Sequence, residues 1–154
     1  TGNAFEQMGL TPGREMAALA GVSEFGGGLL TALGLGGPIG PVTVASTMAV
    51  AAGTAHRGKG AFAMTGGPEL PLAYIAGSVA VAAAGPGRLS LDTVLRTRVP
   101  RTIVALTVLG SATAAAVMIS RSIAKQERDA AETAPPSPST DGSEPAEPVL
   151  AGHL

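Results

Sequence analysis

The stretch PGREMAALAGVSEFGGGLLTALGL, Pro12–Leu35, decides the fold. After Glu15 its one formal charge is Glu24, and no further charge follows until His56. A helix that faces water needs polar residues along one side, and this one has almost none to offer. At ~1.5 Å of rise per residue, ~20 residues cross a ~30 Å hydrocarbon core, and Pro12–Leu35 meets that length. Thr11-Pro12 reads as its start, with threonine as N-cap and proline in the first turn. Gly36-Gly37-Pro38 reads as its stop.

The same pattern recurs along the chain. A second apolar stretch covers about Ile39–Ala55, with Pro41 in its first turn, and ends at His56-Arg57-Gly58-Lys59. A Gly-rich connection, Gly60–Pro68, carries Phe62 and Met64. A third stretch covers about Leu70–Ala84 and stops at Gly85-Pro86-Gly87. A polar connector, Arg88–Arg101, holds four arginines. A fourth stretch, Thr102–Ser120, is uncharged, and Arg121–Arg128 extends it by two turns. The fold class this predicts is an all-α transmembrane bundle of four spans. The chain carries 14% charged residues and no Cys, against roughly 25% charged in a soluble domain.

From Asp129 to the end the composition turns to Pro, Ser, Glu and Asp, and residues 129–154 are expected to be a disordered tail, because they bury too little apolar surface to offset their ordering entropy. At the other end the chain opens on Thr1, not Met, and Thr1–Thr11 reads as a loop continuing from an upstream segment. The 22 glycines suit a bilayer, where the backbone cannot leave the helix cheaply and small residues let helices approach. Without cysteine there is no disulfide, thiolate metal site or thiol relay. A net charge of −1 gives no sign of nucleic-acid binding.

Few residues here can carry chemistry. Glu24 stands out, because a carboxylate at bilayer depth costs on the order of 2.5 kcal/mol even on a lenient insertion scale. Ala17, Ala20, Gly21, Gly28 and Thr31 share its helix face, so Glu24 is expected to be buried against a neighbouring helix as a proton-carrying or ligand-binding acid, or as a structural clamp. Thr43, Thr47 and Thr54 share a face of the second stretch. Tyr74 with Ser78, and Thr107 with Ser111, form similar pairs in the third and fourth. Of these, Thr47 and Tyr74 join Glu24 as buried candidates, although hydroxyls in such helices mostly bond back to their own backbone. His56 and Glu69 bracket the Gly-rich connection as an interfacial pair. Arg88 and Asp92 suggest a cap or ion pair at a helix end. Arg14 reads as an interfacial anchor, and His153 falls in the tail. There is no metal motif, phosphate loop or nucleophile–base pair, so the residues lean toward a protein without catalysis of its own and leave the question open.

Four motifs in order carry a resemblance: Gly13-Arg14 leading into Leu19–Leu35; His56 followed by Gly60-Ala61-Phe62; GGPELPL, Gly66–Leu72; and GPGRLSLD, Gly85–Asp92. Over about Phe5–Asp92 the chain resembles the DoxX family of small bacterial membrane proteins. The resemblance implies a four-helix membrane bundle over residues 1–92 whose first helix lies upstream of Thr1. Pro12–Ala84 would supply its second, third and fourth helices. The Arg-rich connector would be cytoplasmic, and residues 93–128 would add one further span. It also implies a multi-pass protein of the bacterial plasma membrane, linked to quinone or sulfur redox chemistry. Possible cofactor and partners are then a quinone, the lipid bilayer and the subunits of a membrane redox system. Two other readings stand beside it: a small permeation module lined by Glu24 and the hydroxyls, and a structural scaffold.

Overall fold

The computed structural model describes residues 1–133. The architecture is all-helical: α1 (Gly2–Gln7), α2 (Gly13–Leu33), α3 (Ile39–Thr54), α4 (Glu69–Ala84), the short α5 (Leu91–Val94) and α6 (Arg101–Thr133), with one 3-10 turn at Ala63–Thr65. No strand occurs among the described residues. The α3 helix is the hub, packing against α2, α4 and α6. Gly27 of α2 meets Gly40 at the start of α3, while Gly53 at the end of α3 meets Ile119 of α6 and Gly37 lies by Val99. Hence α2 runs antiparallel to α3, and α6 runs parallel to it.

The bundle is solvated on its apolar side. Among the described residues the buried hydrophobic side chains are Leu10 and Ala115, whereas Val22, Phe25, Leu106 and Leu109 are exposed. A water-soluble fold needs the reverse arrangement. Two helices, α2 and α6, are long and apolar enough to cross a membrane, and their apolar windows are only 6% buried. The shorter apolar helices α3 and α4 have 16 residues each, ~24 Å of axis. The expectation of four full-length spans is therefore met at the coarser level of two long apolar helices and two short ones.

Three boundaries differ from the sequence reading. Thr1–Thr11 is not a plain loop, since α1 forms within it and packs across the start of α2. Thr11 does not cap α2. Pro12 takes the N-cap position with extended backbone, and Glu6 reaches over from α1 to accept the Gly13 N–H at 3.3 Å. The α6 helix continues through Asp129 to Thr133, so the first residues assigned to the tail are helical; 134–154 lie outside the described residues. The other end of α2 closes as glycine allows: Gly34 adopts φ 59°, and the Leu35 N–H returns to the Leu30 carbonyl at 3.0 Å, a left-handed cap that satisfies otherwise orphaned carbonyls.

Candidate functional site

A cavity of about 360 Å³ lies between α2, α3 and α6. Its walls are Met16, Leu19, Ala20, Ser23 and Glu24 of α2, Thr43, Ser46, Thr47, Val50, Ala51 and Thr54 of α3, and Ser111, Ala114, Ala115 and Met118 of α6. Phe5, Met8 and Leu10 line one end. It lies on the α1 side of the level at which α2 and α3 approach most closely through their glycines. There Gly27 and Gly40 allow backbone approach, with Thr31 in the same contact, and the helices diverge from that crossing toward α1.

The hydroxyls of the wall are largely committed. Thr43, Thr47 and Thr54 donate to the carbonyls of Ile39, Thr43 and Val50, at 2.9, 3.1 and 2.7 Å. The Ser46 hydroxyl crosses to the Ser111 carbonyl at 3.1 Å and ties α3 to α6. Those oxygens retain acceptor capacity and have spent their protons. Among the described residues the Ser23 hydroxyl makes no such bond, and with the Glu24 carboxyl it forms the polar patch of the α2 wall.

Glu24 itself departs from the expectation. It lines the cavity but is exposed, not enclosed by a neighbouring helix. Gly21 and Gly28, expected in a helix contact beside it, have nothing within 4 Å of where a side chain would start. Gly27 and Thr31 make the contact, and Ala20 and Ser23 continue that line along the cavity wall, about one residue around the helix. At ~100° per residue that offset carries Glu24 from the interface to the rim. Tyr74, also expected to be buried, is 54% exposed on α4 and does not line the cavity. Thr47 does line it and is half-buried.

The interfacial candidates turn out to organise loops. His56 and Glu69 do not pair with each other. His56 Nδ1 lies 2.6 Å from the Gly66 carbonyl, and Glu69 accepts the Ala63 N–H at 2.9 Å, so the two hold the Gly-rich connection from opposite ends. Arg88 is exposed and is not the partner of Asp92. The buried Asp92 carboxylate accepts from the Thr97 hydroxyl at 2.6 Å, the Gly37 N–H at 2.7 Å and the Gly36 N–H at 3.1 Å. These donors, Thr97 first and then Gly37 and Gly36, hold its pKa below the ordinary 3.8 against the opposing effect of burial. Asp92 thereby locks the connector to the α2–α3 turn.

One polar cluster went unread in the sequence. Ser122, fully buried on α6, donates to the Met8 carbonyl. Gln126 Nε2 donates to the same carbonyl and to Ser122 Oγ, each at 3.1 Å. The i, i+4 spacing of Ser122 and Gln126 was the available signal; the distant carbonyl they share was not. The cluster seats Met8 and Leu10 at the end of the cavity.

Neither a curated protein nor a solved structure matches the chain. The resemblance read through Asp92 is matched over its N-terminal part, which includes Gly13-Arg14, Leu19–Leu35 and His56 and stops before the Gly-rich connection. That part contains α1, α2 and α3, and so two of the three helices around the cavity. Residues 1–57 match the family model of DoxX, so this N-terminal part of the chain is similar to that family.

Proposed function

We propose that the chain is a multi-pass protein of the bacterial cell membrane that serves a redox system as an accessory subunit, holding a quinone-like ring in the cavity between α2, α3 and α6. In this reading α3 and α4 also cross the bilayer, thinning it locally or tilting little to match their length, and the connector before α6 faces the cytoplasm. The observation that carries the proposal is the cavity: about 360 Å³, walled mainly by Ala, Val, Leu and Met, with Glu24 and Ser23 grouped on one side. Small-molecule sites have this composition, an apolar enclosure with a few placed polar groups, and a volume of roughly 300–1,000 Å³. A quinol fits the lining: its ring takes the apolar walls, one of its hydroxyls donates to the Glu24 carboxylate, and the Ser23 hydroxyl donates to its other oxygen. Phe5 is the aromatic ring among the lining residues, so enclosure by aliphatic side chains, not stacking, would hold the ligand. A quinone, when bound, supplies two-electron redox capacity; the chain supplies position and a carboxyl near the quinone oxygens.

The test is binding of a short-chain ubiquinol or menaquinol analogue, kept reduced, to the purified chain in detergent micelles, by equilibrium dialysis. Glu24→Gln keeps size and removes the charge, and is expected to weaken binding by about tenfold, the loss of one charge-assisted hydrogen bond at ~1.5 kcal/mol. Equal binding by wild type and Glu24→Gln, or none by either, would sink the proposal. A second reading, a permeation module, draws on one observation: Glu24 is exposed on the cavity rim. Proton or ion flux through proteoliposomes that Glu24→Gln abolishes would favour it instead.

A further inference from the structure

The connector between α4 and α6 carries charge of one sign. From Gly85 to Arg101 it contains Arg88, Arg96, Arg98 and Arg101, all exposed. Its one acid, Asp92, is buried and spent on Thr97, Gly37 and Gly36. None of the four arginines forms an ion pair among the described residues. The opposite end of the bundle differs. There Arg14, Arg57, Lys59, Arg121, Lys125 and Arg128 are interspersed with Glu6, Glu15, Glu69, Glu127, Asp129 and Glu132.

Exposed apolar side chains sit among the arginines: Leu89 is 98% exposed, Val94 70% and Leu95 59%. The backbone adds a second mark. Nine glycines among the described residues have positive φ, and the one non-glycine residue that does is Arg96, at 54°. A side chain in that region is sterically disfavoured, so the sequence keeps an arginine where glycine would fit better. The Thr97 N–H to Asp92 carbonyl bond, 3.0 Å, closes this turn. Arg88 also stands at the rim of an open recess of about 720 Å³ between the end of α2 and the Pro86–Ser90 loop. From Leu33 in that recess an exposed apolar track continues up α2 through Leu29, Phe25 and Val22.

We propose that this connector is a binding collar for anionic phospholipid. A headgroup phosphate seats in the recess against Arg88, and its acyl chains follow Leu33 and Leu29. Arg96, Arg98 and Arg101 hold further headgroups, with Leu89, Val94 and Leu95 dipping into the acyl boundary. Asp92 fixes the connector so that these charges are presented from a rigid loop. The chemistry follows from three features: phosphate complements unpaired guanidinium, α6, a candidate span, begins at Arg101, and juxtamembrane basic residues draw anionic lipid. The inference requires α6 to cross the bilayer and is independent of a quinone in the cavity.

The experiment reconstitutes the full chain in dioleoyl-phosphatidylcholine vesicles carrying a trace of spin-labelled phosphatidylglycerol or spin-labelled phosphatidylcholine. Electron paramagnetic resonance reads the motionally restricted fraction of each. Wild type is expected to restrict phosphatidylglycerol at least threefold more strongly than phosphatidylcholine, and 1 M NaCl should reduce that preference toward one. The variant R88Q/R96Q/R98Q/R101Q should lose it, and R88K/R96K/R98K/R101K should keep most of it. Equal restriction of the two lipids by wild type overturns the proposal and leaves an acidic protein as the complement of the collar. So does a preference that survives in the glutamine variant, which would place the lipid at the other end. The salt arm reads the wild-type chain and needs no variant to fold.

Discussion

Gly40→Ala tests the level at which α2 and α3 touch. A Cβ at position 40 would stand 2.8 Å from the Gly27 carbonyl oxygen, the Thr31 amide nitrogen and Thr31 Oγ1 alike. Two of those three atoms are backbone, and the third is held by its 2.7 Å bond to the Gly27 carbonyl. No rotamer change relieves the clash, so α2 and α3 must move apart by several tenths of an ångström. Overpacking of this kind costs ~1–3 kcal/mol. With ~2–4 °C per kcal/mol for a chain of this size, the midpoint of thermal unfolding in dodecyl maltoside, followed by circular dichroism, should fall by roughly 3–10 °C. Gly77→Ala is the companion substitution, on α4 with nothing within 4 Å of its Cβ. It should be neutral or raise stability by up to ~1 kcal/mol through helix propensity. Because the α2–α3 crossing also sets where the two helices diverge, Gly40→Ala should weaken quinone binding along with stability. A Gly40→Ala chain that melts at or above wild type would refute the tight crossing.

Three further outcomes follow from the polar contacts. Ser122→Ala removes one of two donors to the Met8 carbonyl and should cost ~1 kcal/mol, with faster amide hydrogen exchange at Leu10; unchanged exchange there would show that Gln126 alone suffices. Asp92 has a lowered pKa, so its contribution to stability is complete above the ordinary value of 3.8 and is lost as pH falls through its lower folded value. Asp92→Asn should therefore melt lower than wild type at neutral pH, and the gap should narrow below pH 4; a constant gap would contradict the lock. Arg57→Gln breaks the 3.7 Å pair with Glu127, whose side chains are 45% and 68% exposed, and should change stability by less than ~0.5 kcal/mol. A larger loss would mean the pair joins a network.

The helices themselves were legible. Pro12–Leu35, Ile39–Ala55 and Leu70–Ala84 return as Gly13–Leu33, Ile39–Thr54 and Glu69–Ala84, because apolar runs and Gly/Pro stops act locally. Facing was less so. In Gly26-Gly27-Gly28 every residue is equally small, so no pattern says that Gly27 alone meets α3, and the orientation of Glu24 hangs on that choice. The cost of a carboxylate in lipid turns it inward; the contact through Gly27 and Thr31 leaves it at the rim. The six-residue α1 is too short for periodicity to register. The partners of Asp92 are mostly backbone N–H groups, which residue types do not advertise, and that is why Arg88 looked the more natural neighbour. The cavity had a partial signal in the hydroxyl face of α3, but its third wall comes from Ser111–Met118, far along the chain.

The bond from Ser122 to Met8 spans 114 positions of sequence. A chain made from its N-terminus presents α2, α3 and α4 as consecutive antiparallel neighbours, each able to pack as it emerges. During that time the Met8 carbonyl lacks the donors that Ser122 and Gln126 later supply, and the cavity lacks its α6 wall. Only when synthesis passes Gln126 does α6 supply the third wall and close the first loop in one event. A ribosome that stalls before Ser122 would therefore leave α2, α3 and α4 without the helix that closes the cavity between α2 and α3.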